Sequence, residues 1–308
     1  MKLLVLISII ISTTTLASTD VDCDGLCGQK IASEFDSSLI QALSNISRYS
    51  GTPGYPETLA GDTRKVRGSS SPKWLAAVGR LVSTTSSTTQ EQCSLSIVSD
   101  SPEKDGVIAI TAAHCVDHWY QGDGNFEVGK NEVTFTTNNK KTIRRSISKV
   151  LKAETVGSDY AIVKLNAPIS RKDIKPLLNA PYDYADLLDE EVSQTGFKPF
   201  ATMAGFSADK GLGKKGKVMT YDEKCRLNGG ASGKKKGYCY SYGGASGGPV
   251  VVTAKISEDY ADEDYHTEVQ HYFVGSIVGG RNGDDNSKTL FTDSTHYTRT
   301  LDKILAAH

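Results

Sequence analysis

Three short segments of the chain carry side chains that could take part in acid–base or nucleophilic chemistry. In the first segment, His114 follows the apolar run Val107–Ile110 and is followed directly by Cys115. A histidine in such a place can be a catalytic base, a metal ligand or a hydrogen-bonded core residue. Taken alone, His114 favours the core interpretation, so the other two segments decide its role.

The second segment is the glycine-rich stretch Gly243–Gly248, which contains Ser246 and precedes Pro249. Glycines on both sides of a serine let the backbone turn tightly and bring its amides close to a ligand. Such amides can stabilise the oxyanion that develops in acyl transfer, which makes Ser246 a candidate nucleophile. The alternative is a plain glycine-rich turn.

The third segment is an aspartate, Asp159, that enters the apolar run Tyr160–Leu165. A carboxylate at the start of a buried strand is costly unless it is hydrogen-bonded, for example to an imidazole. Asp159 is therefore a candidate partner for His114.

Short apolar runs rich in β-branched residues must position these segments. Their lengths indicate strands and their number indicates a barrel or a sandwich, so we expect an all-β fold. The clearest runs are Trp74–Val82, Ser94–Val98, Val107–Thr111, Val133–Thr137, Tyr160–Leu165, Phe200–Ala204, Val250–Thr253 and Phe273–Val278. The helical spacing of Leu301, Ile304 and Leu305 predicts one helix within Tyr297–Ala307.

Composition and charge are those of a globular protein with a sizeable core. The 308 residues are 38% hydrophobic and 23% charged. A net charge of −1 gives no basic field, so we expect neither nucleic acid nor a membrane as a partner. Lys214–Lys217, Lys234–Lys236 and the acidic Glu258–Asp264 are interpreted as solvated loops, since the acidic stretch lacks the spacing of a calcium loop.

The N-terminus has the pattern of an export signal. A basic start, the apolar run Leu3–Ser12 and small residues up to Ala17 predict a signal peptide over residues 1–17. The apolar run is shorter than the roughly 20 residues that cross a bilayer. We therefore expect secretion, to the extracellular space or, in a Gram-negative bacterium, to the periplasm.

Residues 18–65 predict a propeptide or N-terminal extension, with a possible short helix at Glu34–Ile46. They end in the dibasic pair Arg64–Lys65, which a processing protease could cut. Cys23 and Cys27 can pair with each other or exchange partners, and Cys-x3-Cys without nearby histidines is a poor zinc signal. No metal or other cofactor is expected.

The three segments together resemble the signature motifs of the trypsin/chymotrypsin family of serine proteases. Thr-Ala-Ala-His-Cys, Asp-Tyr-Ala-Ile-Val-Lys-Leu and Gly-x-Ser-Gly-Gly-Pro occur in the order of that family, at similar spacings. The resemblance covers roughly residues 66–308. It implies a trypsin-like protease domain of two six-stranded antiparallel Greek-key β-barrels, at about 66–172 and 185–308, with the active site between them and a C-terminal helix.

The resemblance also implies roles for single residues. Ser246 would be the nucleophile, His114 the general base and then acid, and Asp159 the group that orients the imidazole. The amides of Gly244 and Ser246 would form the oxyanion hole. Disulfides are implied between Cys93 and Cys115, beside the histidine, and between Cys225 and Cys239, in the loop that leads to the nucleophile.

The implied activity is that of a secreted, monomeric serine endopeptidase that cleaves protein or peptide substrates through an acyl-enzyme. An alternative is a secreted, protease-like binding protein without turnover. A third hypothesis, a metal-dependent hydrolase that uses His114 and the acidic stretch, is weaker because the three motifs occur together.

The chain departs from the family's pattern just before the nucleophile. Family members activated by cleavage carry an aspartate there that pairs with the new N-terminus, whereas this chain has Ala245, as in bacterial and glutamyl-endopeptidase branches. Val66–Gly68 still resembles the family's mature start. We therefore predict a cut after Lys65, made by another protease, without the usual salt bridge.

The specificity pocket departs as well. Tyr240 occupies the position of the trypsin aspartate, and Ile277 that of the glutamyl-endopeptidase histidine. Neither charged specificity is supported, so we predict a preference for uncharged side chains, with an open wall at Gly280 and limited depth. The predicted pocket residues are Tyr240, Ser241, Val278, Gly280 and Thr289.

Overall fold

The computed structural model describes residues 57–85, 89–180, 183–188, 197–228, 233–255, 269–280 and 289–308. The predicted signal peptide, the helix at Glu34–Ile46, the pair Cys23 and Cys27, and the acidic stretch 258–264 lie outside the described residues. In the described part of the chain, no helix is long and apolar enough to cross a membrane.

Strands make up most of the described secondary structure. In chain order they are β1 (Lys65–Val66), β2 (Val78–Thr84), β3 (Gln90–Ser99), β4 (Gly106–Thr111), β5 (Tyr120–Gly122), β6 (Asn125–Phe126), β7 (Asn131–Thr136), β8 (Thr142–Arg145), β9 (Ile147–Glu154), β10 (Tyr160–Ile169), β11 (Leu177–Asn179), β12 (Phe200–Gly205), β13 (Thr220–Cys225), β14 (Leu227–Asn228), β15 (Lys234–Gly237), β16 (Pro249–Ala254), β17 (Gln270–Gly279) and β18 (Thr289–Asp293). The α-helices are α1 (Tyr184–Leu188) and α2 (Thr298–Ala306), and 3₁₀ turns cover Lys73–Ala77, Ala113–Cys115, Asp117–Trp119 and Ser294–His296.

The first barrel is a run of antiparallel strands in the order β8–β7–β2–β3–β4–β10–β9. Leu81 of β2, Leu95 of β3, Phe135 of β7 and Ile162 of β10 are fully buried in its core. Burial alternates along β2 and β7, as expected of strands with one face on a core. The His114 and Asp159 segments lie at the ends of β4 and β10.

The second barrel has the antiparallel order β1–β13–β12–β16–β17–β18–β15–β14. Its central strand β16 is buried at every position, because its β-branched run Val250–Thr253 packs on both faces. Strand β11 pairs in parallel with β3 of the first barrel and β17 of the second. The predicted fold of two β-barrels with a C-terminal helix is confirmed.

Two local predictions from the sequence are wrong. The strand predicted over Trp74–Val82 begins only at Val78, because Trp74–Ala77 form a 3₁₀ turn after Pro72 in which all four side chains are buried. Lys234–Lys236 do not lie in a loop, since they form β15 and pair with Leu290–Thr292 of β18. Backbone pairing across the barrel overrides the hydrophilic composition there.

Helix α2 closes the chain by packing against the first-barrel core. Leu301 and Leu305 are buried on one face of the helix. Just before the helix, the ring of Tyr297 stacks on Tyr160 with 4.1 Å between centroids. Because Tyr160 follows Asp159 directly, this stacking links the terminal helix to the aspartate segment.

We expect Leu301→Ala to lower the free energy of unfolding by about 2–5 kcal/mol, since it leaves a cavity in a buried site. The matched control is Lys303→Ala, because Lys303 is exposed on the same helix. Urea unfolding followed by fluorescence measures both variants. Equal stability of the two variants would contradict the packing described for α2.

Candidate active site

His114 lies in a 3₁₀ turn at the end of β4. The turn begins after the buried Ala112, and the next residue, Cys115, is disulfide-bonded to Cys93 of β3. The predicted pairing is confirmed, and it ties the turn to the neighbouring strand. A quarter of the His114 side chain remains exposed, so the imidazole is held firmly yet can be reached from solvent.

Asp159 contacts His114 through both of its carboxylate oxygens. Oδ1 accepts the backbone N–H of His114 at 3.0 Å, and Oδ2 lies 2.9 Å from His114 Nδ1. Asp159 has φ of 56°, in the left-handed region that is uncommon for residues other than glycine. Such strain is retained where surrounding contacts over-determine the conformation, which is common at functional sites.

The second barrel holds the backbone of the aspartate segment. Thr292 of β18 donates its hydroxyl hydrogen bond to the carbonyl oxygen of Ser158. Together with the ring stacking of Tyr160 on Tyr297, this places contacts from the second barrel on both sides of Asp159. The orientation of the aspartate thus depends on both barrels.

Electrostatics stabilise the charged forms of both side chains. Burial opposes ionisation of Asp159, but the charge and hydrogen bonds of His114 outweigh it and lower the pKa of the carboxyl. For His114, burial is outweighed by the Asp159 carboxylate, which raises the pKa of the imidazole above 6.5. Each side chain therefore stabilises the charged form of the other.

Ser246 lies in a turn that is joined to the first barrel through its own backbone. Ser94 of β3 donates its N–H to the carbonyl oxygen of Ser246 at 2.7 Å, and its hydroxyl to the carbonyl oxygen of Gly244 at 2.9 Å. Gly247 has φ of 81°, and a Cβ there would come within 2.2 Å of Ser94 O and Thr111 Oγ1. Glycine is required because the turn lies directly against β3 and β4.

The backbone amides of Gly244 and Ser246 donate to no acceptor within the described residues. Gly244 has φ of 86°, and the amide of Ala245 between them bonds instead to the carbonyl oxygen of Tyr242. The turn thus offers two N–H groups without an acceptor in the described part of the chain, separated by one N–H group that is already hydrogen-bonded. This arrangement suits the binding of an oxyanion.

The hydroxyl of Ser246 and Nε2 of His114 form no hydrogen bond with each other in the described part of the chain. Nucleophile–base hydrogen bonds are often long when no substrate is bound and shorten in the Michaelis complex. The structure therefore brings the three segments together through backbone contacts, with the His114–Asp159 pair already formed.

Four predicted pocket residues belong to two parts of the second barrel. Ser241 lies in the stretch before the Ser246 turn, whereas Val278, Gly280 and Thr289 lie in or next to β17 and β18. Ser241 Oγ lies 2.9 Å from Thr289 Oγ1, and the Thr289 hydroxyl also donates to the carbonyl oxygen of Cys239. A Cβ on Gly280 would come within 2.7 Å of Tyr242 Cα, so this glycine lets the two parts approach closely. Val278 of β17 is half-buried and packs against the hydrophobic core.

Tyr240, the fifth predicted residue, contacts a different region. Its amide donates to Asp222 Oδ2 at 2.7 Å, and its hydroxyl lies 3.8 Å from where a Cβ of Gly61 would be. Tyr240 thus contacts Asp222 of β13 and lies close to Gly61, which precedes the first barrel. The predicted disulfide between Cys225 and Cys239, which lies next to Tyr240, is confirmed.

Two side-chain clusters have the spacing to share a metal ion among the described residues. One consists of Cys93, His114 and Cys115, and the other of Asp222, Cys225 and Cys239. Both sulfurs of each cluster belong to a disulfide, so neither cluster offers the thiolates that a metal ion requires.

Sequence reasoning missed the contribution of the residues before the first barrel. Arg64 was interpreted as part of a dibasic cleavage site, yet its side chain is 1% exposed and pairs with Asp62 and Asp209. Asp209 lies far along the chain in an otherwise unremarkable loop. A salt bridge across 145 positions leaves no local signal in the sequence.

We expect the imidazole of His114 to titrate above pH 6.5 in the folded protein, and lower in Asp159→Asn. The raised pKa of the imidazole contributes stability that is lost as the pH rises through the folded pKa of His114, and the lowered pKa of the Asp159 carboxyl contributes stability that is lost as the pH falls through the folded pKa of Asp159. NMR titration of the His114 ring protons measures both proteins. An unchanged midpoint in Asp159→Asn would show that the carboxylate does not set the pKa.

The comparison with protein families agrees with this geometry. The family model of trypsin matches residues 68–301, well over half of the chain. A comparison with curated proteins gives no match. The matched region contains every described strand of both barrels except β1, and the segments of His114, Asp159 and Ser246. The chain belongs to the trypsin family of serine proteases.

Proposed function

We propose that the protein is a secreted serine endopeptidase in which Ser246, His114 and Asp159 act as the catalytic triad. The observation that carries the proposal is the pair of hydrogen bonds from Asp159 to His114, next to a turn with two available amides. Family membership supports a hydrolase of the serine protease type. Activity in this member is the part that the proposal adds.

The hydrogen bond between His114 Nδ1 and Asp159 Oδ2 fixes which nitrogen of the imidazole can act as the base. When Nδ1–H donates to the carboxylate, the lone pair of Nε2 is free to accept the proton of the Ser246 hydroxyl. The hydroxyl oxygen then attacks the substrate carbonyl carbon. The protonated imidazole is stabilised by Asp159, which remains ionised throughout.

The negative charge of the tetrahedral intermediate develops on the former carbonyl oxygen. The amides of Gly244 and Ser246 would donate to this oxygen, which is a major contribution to acyl transfer. As the intermediate collapses, the peptide C–N bond breaks and His114 gives its proton to the leaving amine. Water then attacks the ester of Ser246 by the same route, which releases the second product and restores the serine.

Secretion is the location that fits the chain. Disulfides are formed and retained in oxidising compartments, and both predicted disulfides are present. The predicted signal peptide lies outside the described residues, so the route of export stays a prediction.

A preference for uncharged substrate side chains is part of the proposal. The described pocket residues Ser241, Val278, Gly280 and Thr289 carry no charge, so a buried guanidinium or carboxylate would lack a partner. The hydrogen bond between Ser241 and Thr289 joins two of these residues directly, which we expect to limit the depth of the pocket. Small apolar side chains fit these features best.

We expect a fluorophosphonate probe to label Ser246 covalently in the wild type, and neither Ser246→Ala nor His114→Ala to react. Labelling requires an activated nucleophile, so it separates an active protease from a protease-like binding protein. The double variant should lose little more peptidase activity than either single variant, because triad members act as a unit. Wild-type turnover in Ser246→Ala would disprove the assignment.

We expect kcat/KM to favour alanine or valine over arginine before the cleaved bond by about a hundredfold, as a missing charge partner implies. Thr289→Gly should shift the preference towards larger apolar side chains, whereas Thr289→Ser keeps the hydroxyl and serves as the matched control. A peptide series that varies one residue provides the measurement. A preference of the wild type for arginine would mean that a residue outside the described pocket supplies a charge.

A further inference from the structure

Residues 57–67, the N-terminal segment, lie against the second barrel although they precede the first barrel in sequence. Lys65 and Val66 form β1 and pair with Tyr221 and Thr220 of β13. At the end of the segment, Arg67 donates to the carbonyl oxygen of Thr136 in the first barrel. The segment is therefore part of the folded domain up to its junction with the first barrel.

Arg64 is the most buried charge of this segment. Its Nη1 donates to Asp209 Oδ1 at 2.9 Å, and its Nε and Nη2 donate to the carboxylate of Asp62 at 3.0 and 2.7 Å. The guanidinium carbon also lies 4.3 Å from the centre of the Tyr242 ring. A guanidinium bound by two carboxylates and one aromatic face has its geometry fixed from three sides.

Asp209 connects the fixed guanidinium of Arg64 to the turn that carries Ser246. Burial opposes its ionisation, but the hydrogen bonds from Arg64, Thr58 and the amide of Gly213 outweigh burial and lower the pKa of its carboxyl. The neighbouring residue, Ala208, donates its N–H to the carbonyl oxygen of Gly243 at 2.7 Å. Gly243 directly precedes one of the two available amides.

Tyr242 forms a second connection between the N-terminal segment and the same turn. Its hydroxyl accepts the N–H of Leu59 at 2.9 Å and donates to Asp62 Oδ2 at 3.3 Å. Its own carbonyl oxygen accepts the N–H of Ala245 at 3.0 Å, which sets the direction of the peptide between the two available amides. The turn is therefore supported at Tyr242 and at Gly243.

We propose that Arg64 is a positioning residue that holds the oxyanion-binding turn in its working geometry in the uncut chain. The inference rests on the proposed function and concerns its regulation. Arg64 and Lys65 are then not a processing site, because cleavage after Lys65 would break the covalent link between the buried guanidinium and the domain that it supports. A protease would also have to separate β1 from β13 to reach the bond.

The first test uses the full chain with Lys65→Gln, which removes the basic residue before the predicted cut. The ammonium of Lys65 is largely exposed and pairs only with Glu223 among the described residues, so the substitution should leave the fold unchanged. Intact-mass spectrometry shows whether residues 64–66 are still joined. We expect the uncut protein to react with the fluorophosphonate probe and to hydrolyse peptide within about twofold of wild type.

An uncut protein that stays unreactive, beside a wild type that becomes active when cut after Lys65, would overturn the inference. If neither form reacts with the probe, the proposed function is what fails, and the positioning role falls with it. The two failures are therefore distinguished by the reactivity of the cut form.

The second test separates positioning from folding. In Arg64→Gln we expect kcat to fall about tenfold or more with KM within about twofold, since the lost geometry affects the transition state rather than substrate binding. Arg64→Lys, which keeps the charge and can still reach one carboxylate, should recover part of kcat. A folded Arg64→Gln protein with wild-type kcat would overturn the inference.

Loss of the Arg64 charge leaves Asp62 and Asp209 buried without their cation, which can prevent folding. If Arg64→Gln does not fold, Tyr242→Phe tests the positioning role instead. This variant keeps the salt bridges and removes only the hydroxyl that joins Leu59 and Asp62 to the turn. We expect kcat to fall several-fold, with a smaller change in KM. An unchanged kcat in a folded Tyr242→Phe protein would overturn the inference.

Discussion

A single buried serine links the two barrels at the centre of the candidate active site. Ser94 of β3 is fully buried and uses its N–H, its hydroxyl and its carbonyl oxygen at once. The N–H and hydroxyl bind the turn around Ser246, the hydroxyl accepts the amide of Phe206, and the carbonyl accepts the hydroxyl of Thr111. A buried polar group that satisfies all of its partners fixes one arrangement and penalises every other.

This arrangement lets one barrel orient the residues of the other. His114 and Asp159 come from the first barrel, but Thr292 of the second barrel holds the backbone beside Asp159. Conversely, the turn that carries Ser246 comes from the second barrel and is held by Ser94 of the first. Since effective catalysis requires reacting groups to be positioned to within a fraction of an ångström, reciprocal support of this kind is a physical requirement.

Much of the fold and of the candidate site could be predicted from the sequence because their determinants are local. Short β-branched runs predicted the strands, and a histidine, an aspartate and a glycine-flanked serine at strand ends predicted where the chemistry would lie. The prediction for Trp74–Ala77 is wrong because four successive apolar residues fit a fully buried strand as well as a buried 3₁₀ turn. Pairing partners decide such cases, and they are distant in sequence.

The N-terminal segment depends even more on contacts that are distant in sequence. Arg64 next to Lys65 has the pattern of a processing site, and its distant buried partner, Asp209, becomes apparent only in the folded chain. The specificity pocket stays a prediction, and the hydrogen bond between Ser241 and Thr289 could not be foreseen from the sequence. Long-range polar contacts remain invisible until the topology is known.

The place of β1 has a consequence for how the chain folds. Thr63 binds the carboxylate of Asp222, which lies 159 positions further along the sequence. At a synthesis rate of about 5–20 residues per second, the segment exists for roughly 8–30 seconds before that carboxylate has been made. Until then its strand has no edge to join, so the polypeptide that begins the domain must wait for the second barrel before it acquires its native neighbours. The N-terminal segment can therefore join the sheet only after every described strand of the first barrel has been synthesised.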